Sequence, residues 1–214
     1  MANNTSNKEL EVDTEKIYYE IKYLDTEIVS MFNLLNNIEG KNNFYINWYE
    51  LENKTYRIYD YWNSVILDLN SLNLDKASLT NYGKNLDELL IAIKSNDKDN
   101  TLNNLLELFN KLIIYSEALN YNNNYNKILI TKYNLLCSYS VAEKENWTLT
   151  HEYILKASEN FLDVVNSMEN NEYNQYNINQ AYISIKEIEN IINIKNLDIF
   201  YLKYNIAINK LSIL

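Results

Sequence analysis

The chain has 214 residues, and 47% of them are apolar, which is enough to fill a hydrophobic core. It contains no proline and only two glycines, so the tight turns and sheet corners of all-β folds are nearly excluded and long, uninterrupted helices are expected. The net charge of −10 opposes binding to nucleic acid or to an anionic membrane surface.

Residues 1–10 are polar and show no periodicity, which predicts a disordered tail. A tail of this kind is typical of an extracytoplasmic lipoprotein, in which it follows a lipidated cysteine. We therefore expect a membrane-anchored lipoprotein whose lipid anchor lies upstream, with a cytoplasmic protein as the alternative. No apolar run approaches the length of a membrane span, so no transmembrane segment is expected.

Apolar residues recur at spacings of three and four along the rest of the chain, which predicts eight helices. Asp75 is expected to cap the third helix, a residue between Asp97 and Asn100 the fourth, and Thr148 or Thr150 the sixth. The predicted helices cover roughly residues 11–39, 46–70, 76–95 and 98–119, and then 124–145, 148–169, 175–194 and 196–213.

The second half of the chain repeats the first. The pair Asn47-Trp48 recurs 99 residues later as Asn146-Trp147, and the apolar stripe that follows each pair has the same spacing. The pairs that carry the predicted register are Trp48 with Trp147, Trp62 with Phe161, Leu86 with Ile185 and, at an offset of 100, Leu102 with Leu202.

The repeat predicts an all-α fold, namely a tandem duplication of an antiparallel four-helix bundle unit. The first unit covers residues 11–119 and the second covers residues 124–214, with a short polar loop between them. A short α-solenoid of stacked helix pairs is the alternative architecture.

Residues suited to catalysis are scarce. His151 is the single histidine and Cys137 the single cysteine, and there is no glycine-rich phosphate loop, no Cys-x-x-Cys pair and no Glu-x-x-His pair. Carboxylates such as Glu15 and Asp87 are expected on the outer faces of the helices. The sequence therefore predicts no catalytic residue, no metal site, no cofactor and no enzymatic activity.

Aromatic residues crowd into residues 44–62. Trp48 and Trp62 lie on the apolar stripe and are expected in the core. The residues that leave the stripe form a candidate binding surface, which would bind by stacking and hydrogen bonding: Tyr45, Tyr49, Tyr56, Arg57 and Tyr61. The alternative for these tyrosines is that they are amphipathic surface residues which reflect the composition.

The function expected from these features is that of a non-enzymatic helical interaction protein. It would present an acidic, Tyr- and Trp-rich helical surface to a protein or to a small ligand. A structural or assembly protein that acts through oligomerisation is the alternative, and the sequence leaves the oligomeric state and the partner open.

Overall fold

A computed structural model describes residues 13–36, 45–72, 74–167 and 172–214. Within these ranges the protein is all-α, as predicted, and the predicted tail of residues 1–10 lies outside them. Two 3₁₀ turns, Asn70–Leu72 and Ile192–Ile194, follow the second and seventh helices. The helices are α1 Thr14–Leu35, α2 Trp48–Leu69, α3 Lys76–Lys94, α4 Lys98–Leu119, α5 Asn123–Ala142, α6 Trp147–Ser167, α7 Glu172–Ile191 and α8 Leu197–Ser212.

The helices pack as two closed rings. In the first unit α1 contacts α2 and α4, while α3 contacts α2 and α4; in the second unit α5, α6, α7 and α8 contact one another in the same cyclic order. Because short connections make successive helices antiparallel, each ring is an up-down-up-down bundle. This confirms the predicted tandem bundles, since a solenoid of helix pairs would keep the first and fourth helices of each unit apart.

The core of α2 and α3 recurs in α6 and α7 at the predicted offset of 99 residues. All the paired side chains are buried, so the repeated stripe is the stripe that folds each bundle. The pairs are Leu51 with Thr150, Thr55 with Ile154, Ile58 with Ala157, Trp62 with Phe161, Val65 with Val164, Leu79 with Ile178, Tyr82 with Ala181, Leu86 with Ile185, Leu89 with Ile188 and Ile93 with Ile192.

The predicted offset of 100 for the last helix is wrong. Leu102 is 2% exposed, whereas Leu202, its predicted counterpart, is 58% exposed. The buried positions of α4 and α8 instead match at 99, the offset of the two preceding helices. At that offset five pairs of residues correspond, and all ten side chains are buried. The pairs are Thr101 with Phe200, Leu105 with Tyr204, Leu108 with Ala207, Phe109 with Ile208 and Leu112 with Leu211.

The two units meet along α1 and α5, which run parallel. Tyr18 packs edge-to-face on Tyr125 with ring centroids 4.9 Å apart, and Phe32 packs in the same way on Tyr139 at 5.5 Å. Between these aromatic pairs the Lys132 Nζ lies 2.6 Å from Asp25 Oδ2. Since α5 also contacts α4, α6 and α8, most of its circumference is buried.

Asparagine and aspartate side chains cap the helices. Asp75 and Asp97 accept hydrogen bonds from the first-turn amides of α3 and α4, as predicted. The prediction for α6 is wrong, because Asn146 Oδ1 accepts from the Leu149 amide at 3.2 Å, whereas the Thr150 hydroxyl donates to the Asn146 carbonyl. Asn47 caps α2 in the same way as Asn146 caps α6, so the recurring Asn-Trp pair is a repeated helix start.

Candidate interaction surface on α2

The inner face of α2 determines which side chains point outward. Trp62 is buried and stacks on Tyr82 of α3, with ring centroids 4.0 Å apart. Trp48, at the start of α2, is half-buried and packs against the core. With these two residues held inward, the candidate tyrosines lie on the sides and outer face of the helix.

Three large side chains follow one outward line of α2. Tyr49 and Tyr56 are seven residues apart, and Leu67 follows eleven residues later, so all three lie on nearly the same side of the helix. Tyr49 is 76% exposed, Leu67 is 75% exposed, and Tyr45 just before the helix is 81% exposed. Asn53 and Asp60 lie between them and are also exposed.

Tyr56 is held at the α3 side of this outward line. Its hydroxyl donates a hydrogen bond to Glu52 Oε1 at 3.1 Å, and the Lys94 ammonium lies 5.6 Å from the ring centroid. Lys94 also forms an ion pair with Glu52 at 3.5 Å. The ring is therefore oriented by its neighbours, and Tyr56 remains 43% exposed.

Arg57 and Tyr61 do not join this group. Tyr61 is half-buried on the α1 side of α2, where its ring centroid lies 4.1 Å from that of Tyr23. Arg57 is exposed and makes no ion pair within the described part of the chain. Tyr49 and Tyr56 thus lie on the outward line of α2, whereas Tyr61 lies on the α1 side.

Sequence reasoning missed the role of Tyr59. Its hydroxyl donates a short hydrogen bond to Asp87 of α3, and burial, with the Asp87 carboxylate second, raises the pKa of Tyr59. The contact joins residues 28 positions apart, so no local pattern could have indicated it. It anchors α2 to α3 beside the exposed line.

An open cleft of about 350 Å³ lies where α1, α2 and the end of α8 meet. Glu50 and Lys54 contribute the α2 wall, and Asn33 and Ser30 belong to the α1 wall. Lys54 is engaged by Glu27 of α1 at 3.2 Å. The sequence could not indicate this cleft, because its walls come from helices at both ends of the chain.

Two carboxyl groups contradict the expectation that acidic residues lie on outer faces. Asp25 is buried against Lys132 between the two units, and Glu20 is buried at the contact of α1 with α2. Burial, followed by the nearby Asp68 carboxylate, raises the pKa of Glu20 to about 7, although Lys16 acts in the opposite direction. Glu20 is therefore a group that titrates near neutral pH.

The described residues contain no group of three or more histidine, cysteine or acidic side chains placed to hold a metal ion. Cys137 is buried, and burial raises the pKa of its thiol to about 11, so the thiol stays protonated at neutral pH. Among the helices that the structure describes, none has the length and apolar character needed to cross a bilayer.

Comparisons with protein-family models, with curated proteins and with solved structures gave no match.

Proposed function

We propose that this protein is a non-enzymatic interaction protein that binds a protein partner through the outward line of α2. The observation that carries the proposal is the exposure of Tyr49 and Leu67, with Tyr45 beside them, on a helix whose inner face is fully packed. Aromatic side chains with open faces supply large contact area at a low entropic cost and are enriched where proteins bind each other.

The counterpart helix supports the choice of α2. At the offset of 99, α6 has Thr148 in place of Tyr49 and Leu155 in place of Tyr56. Tyr49 and Tyr56 point away from the core, so the packing of the bundle does not require an aromatic side chain at either position. The aromatic line therefore belongs to the first unit alone.

A photo-crosslinking experiment tests the proposal. A benzophenone amino acid at Asn53, between Tyr49 and Tyr56, is expected to capture a protein from an extract of the native source. The matched control carries the same group at Glu152, the exposed counterpart of Asn53 on α6. Capture should be lost when Tyr49 and Tyr56 are both replaced by alanine, and kept when the exposed Tyr176 of α7 is replaced.

Equal capture from Asn53 and Glu152, or capture that survives the Tyr49→Ala/Tyr56→Ala double substitution, would contradict the proposal. A small ligand in the cleft beside Lys54 is a different outcome, because its binding would respond to Lys54→Ala and not to the tyrosines. The lipid anchor expected from the polar N-terminal residues stays a prediction.

Assembly through oligomerisation is the second candidate function. The observation that favours it is an exposed apolar face on α8, which is a different surface from the outward line of α2.

A further inference from the structure

α8 is apolar on two opposite faces. One face packs into the core of the second unit through Phe200, Tyr204, Ala207, Ile208 and Leu211. The opposite face, called here the α8 stripe, points to solvent, and its four apolar side chains are between 37% and 65% exposed. The α8 stripe consists of Ile199, Leu202, Ile206, Asn209 and Ile213.

The spacing of the α8 stripe is that of a coiled-coil seam. Its members follow one another at intervals of three, four, three and four residues, which is the heptad pattern of positions a and d. A surface helix in a bundle normally carries polar residues opposite the core, so an apolar heptad line there indicates a face that packs on another helix.

The residue types in the stripe indicate the number of strands. Position a is isoleucine at residues 199, 206 and 213, and position d is Leu202 and then Asn209. β-Branched residues at a with leucine at d favour two strands in parallel coiled coils, and the polar Asn209 at the second d position lowers the stability of the seam. We infer that α8 is the interface through which two copies of this chain associate in parallel.

Charge on the flanks of the stripe favours the same arrangement. Asp198 lies at position g and Lys203 at position e, so parallel pairing places each Asp198 beside Lys203 of the second copy. Lys203 also forms an ion pair with Glu187 of α7 at 2.7 Å, so the two carboxylates would share one ammonium. An antiparallel pair would bring Lys203 and Lys210 of one copy against the same lysines of the other. α8 carries one acidic and two basic side chains in a chain of net charge −10, so this helix adds no net negative charge to a contact between two copies.

The stripe is short, which limits the affinity. It spans about 20 Å of helix at the α-helical rise. Such a contact is smaller than a standard protein–protein interface, so we expect a dissociation constant of roughly 10–100 µM. The inference makes the second candidate function specific and does not depend on the surface of α2.

Sedimentation equilibrium of the whole chain over roughly 5–500 µM tests the association. Leu202→Glu should weaken the dimer at least tenfold or abolish it. Leu67→Glu, a matched change at a similarly exposed leucine on α2, should leave the dissociation constant within about twofold, since such a surface change affects little else. Both sites are exposed, and a circular dichroism spectrum checks that both variants are folded.

Disulfide cross-linking tests the orientation in a Cys137→Ala background. Ile213→Cys should oxidise to a covalent dimer, because parallel pairing places residue 213 of one copy beside residue 213 of the other. Antiparallel pairing would instead give disulfides when the Ile199→Cys and Ile213→Cys variants are mixed. Asn209→Ile should tighten the dimer, since it removes the polar residue from the seam.

Three results would overturn the inference. They are a chain that remains monomeric at the highest concentration, a dimer that Leu202→Glu leaves intact, and cross-linking in the antiparallel pattern. Loss of the α2 partner in the crosslinking experiment above would leave the dimer untouched, so the two proposals fail separately.

Discussion

α4 and α8 occupy the same place in the two units but differ in what covers them. α4 contacts α1 and α3 in its own unit and α5 of the other unit. α8 packs on α7 and α5 and also contacts α1, where the Tyr204 ring centroid lies 6.4 Å from that of Phe32. The face of α8 opposite the core is the exposed stripe. Core positions recur at the constant offset of 99 from α2–α4 to α6–α8, whereas the exposed surfaces of the two units differ.

The exposed faces of α2 and α6 also differ between the two units. Tyr49 and Tyr56 have Thr148 and Leu155 as counterparts, although the same positions are buried on the inner faces of the two helices. Each unit therefore presents one surface that the other lacks, an aromatic line on α2 in the first and an apolar stripe on α8 in the second.

The largest expected loss of stability comes from a substitution at the contact between the two units. Asp25→Ala would leave the buried Lys132 ammonium without its partner, and removal of one member of a buried ion pair costs about 3–5 kcal/mol of unfolding free energy. Urea denaturation measures this loss.

The double variant Asp25→Leu/Lys132→Met is the control for that experiment. It removes both charges and should recover most of the stability, because apolar replacements of buried ion pairs are often neutral. A single variant as stable as the wild type would show that the pair does not hold α1 against α5.

The next largest expected effect is a difference in stability between alanine substitutions in α4 and in α8. Leu102→Ala should lower the unfolding free energy by about 2–5 kcal/mol, because a cavity is left in the core. Leu202→Ala should change it by less than about 0.5 kcal/mol in dilute solution, where the chain is monomeric. Equal losses of unfolding free energy at the two positions would show that Leu202 is buried like Leu102. That result would support the offset of 100 and contradict the exposed α8 stripe.

Glu20 makes the first unit sensitive to pH. Its pKa of about 7 lies above the ordinary value of 4.5, so the folded state holds the proton more tightly than the unfolded chain. The stability that this proton confers is present below pH 4.5 and is lost as the pH rises through about 7. We expect a loss of about 1–2 kcal/mol between pH 5 and pH 8, allowing for partial solvent access.

Denaturation curves at several pH values measure the contribution of Glu20. Glu20→Gln should flatten the pH dependence, whereas Glu15→Gln, at an exposed position of the same helix, should not. If the slope persists in the Glu20 variant, the titration belongs to another group.

The smallest effect concerns the feature that both units share. Asn47→Ala and Asn146→Ala each remove the side chain that caps α2 or α6, and each should cost about 1 kcal/mol. Similar losses measured by thermal unfolding would show that the two helix starts are equivalent. A loss at one position alone would show that one start is stabilised by other contacts.

The sequence predicted the helices and the paired cores of α2 with α6 and α3 with α7, because large residues recur there at one constant spacing. It failed for α8, since a helix that is apolar on both faces matches its counterpart at two registers. Leu202 and Ile208 both fit an apolar pattern, and only packing shows that Ile208 is inside. The asparagine caps were also missed, because asparagine is so common in this chain that its presence before a helix gives little indication of a cap.

The candidate surface was only partly accessible to sequence reasoning. Periodicity placed Tyr49 and Tyr56 off the core stripe, but it could not show that Tyr61 packs on Tyr23 of another helix. Nor could it bring together Asp25 and Lys132, which lie 107 residues apart. Contacts between distant segments depend on how helices pack, and a local pattern carries no information about them.

Thiol labelling of a Leu202→Cys variant in a Cys137→Ala background tests the central claim, that α8 exposes an apolar face which a second copy covers. We expect rapid labelling in dilute solution and progressively slower labelling as the protein concentration rises, while a Leu67→Cys control reacts at the same rate throughout. Slow labelling at every concentration would show that Leu202 is a core residue, and a rate independent of concentration would show that no second copy covers it.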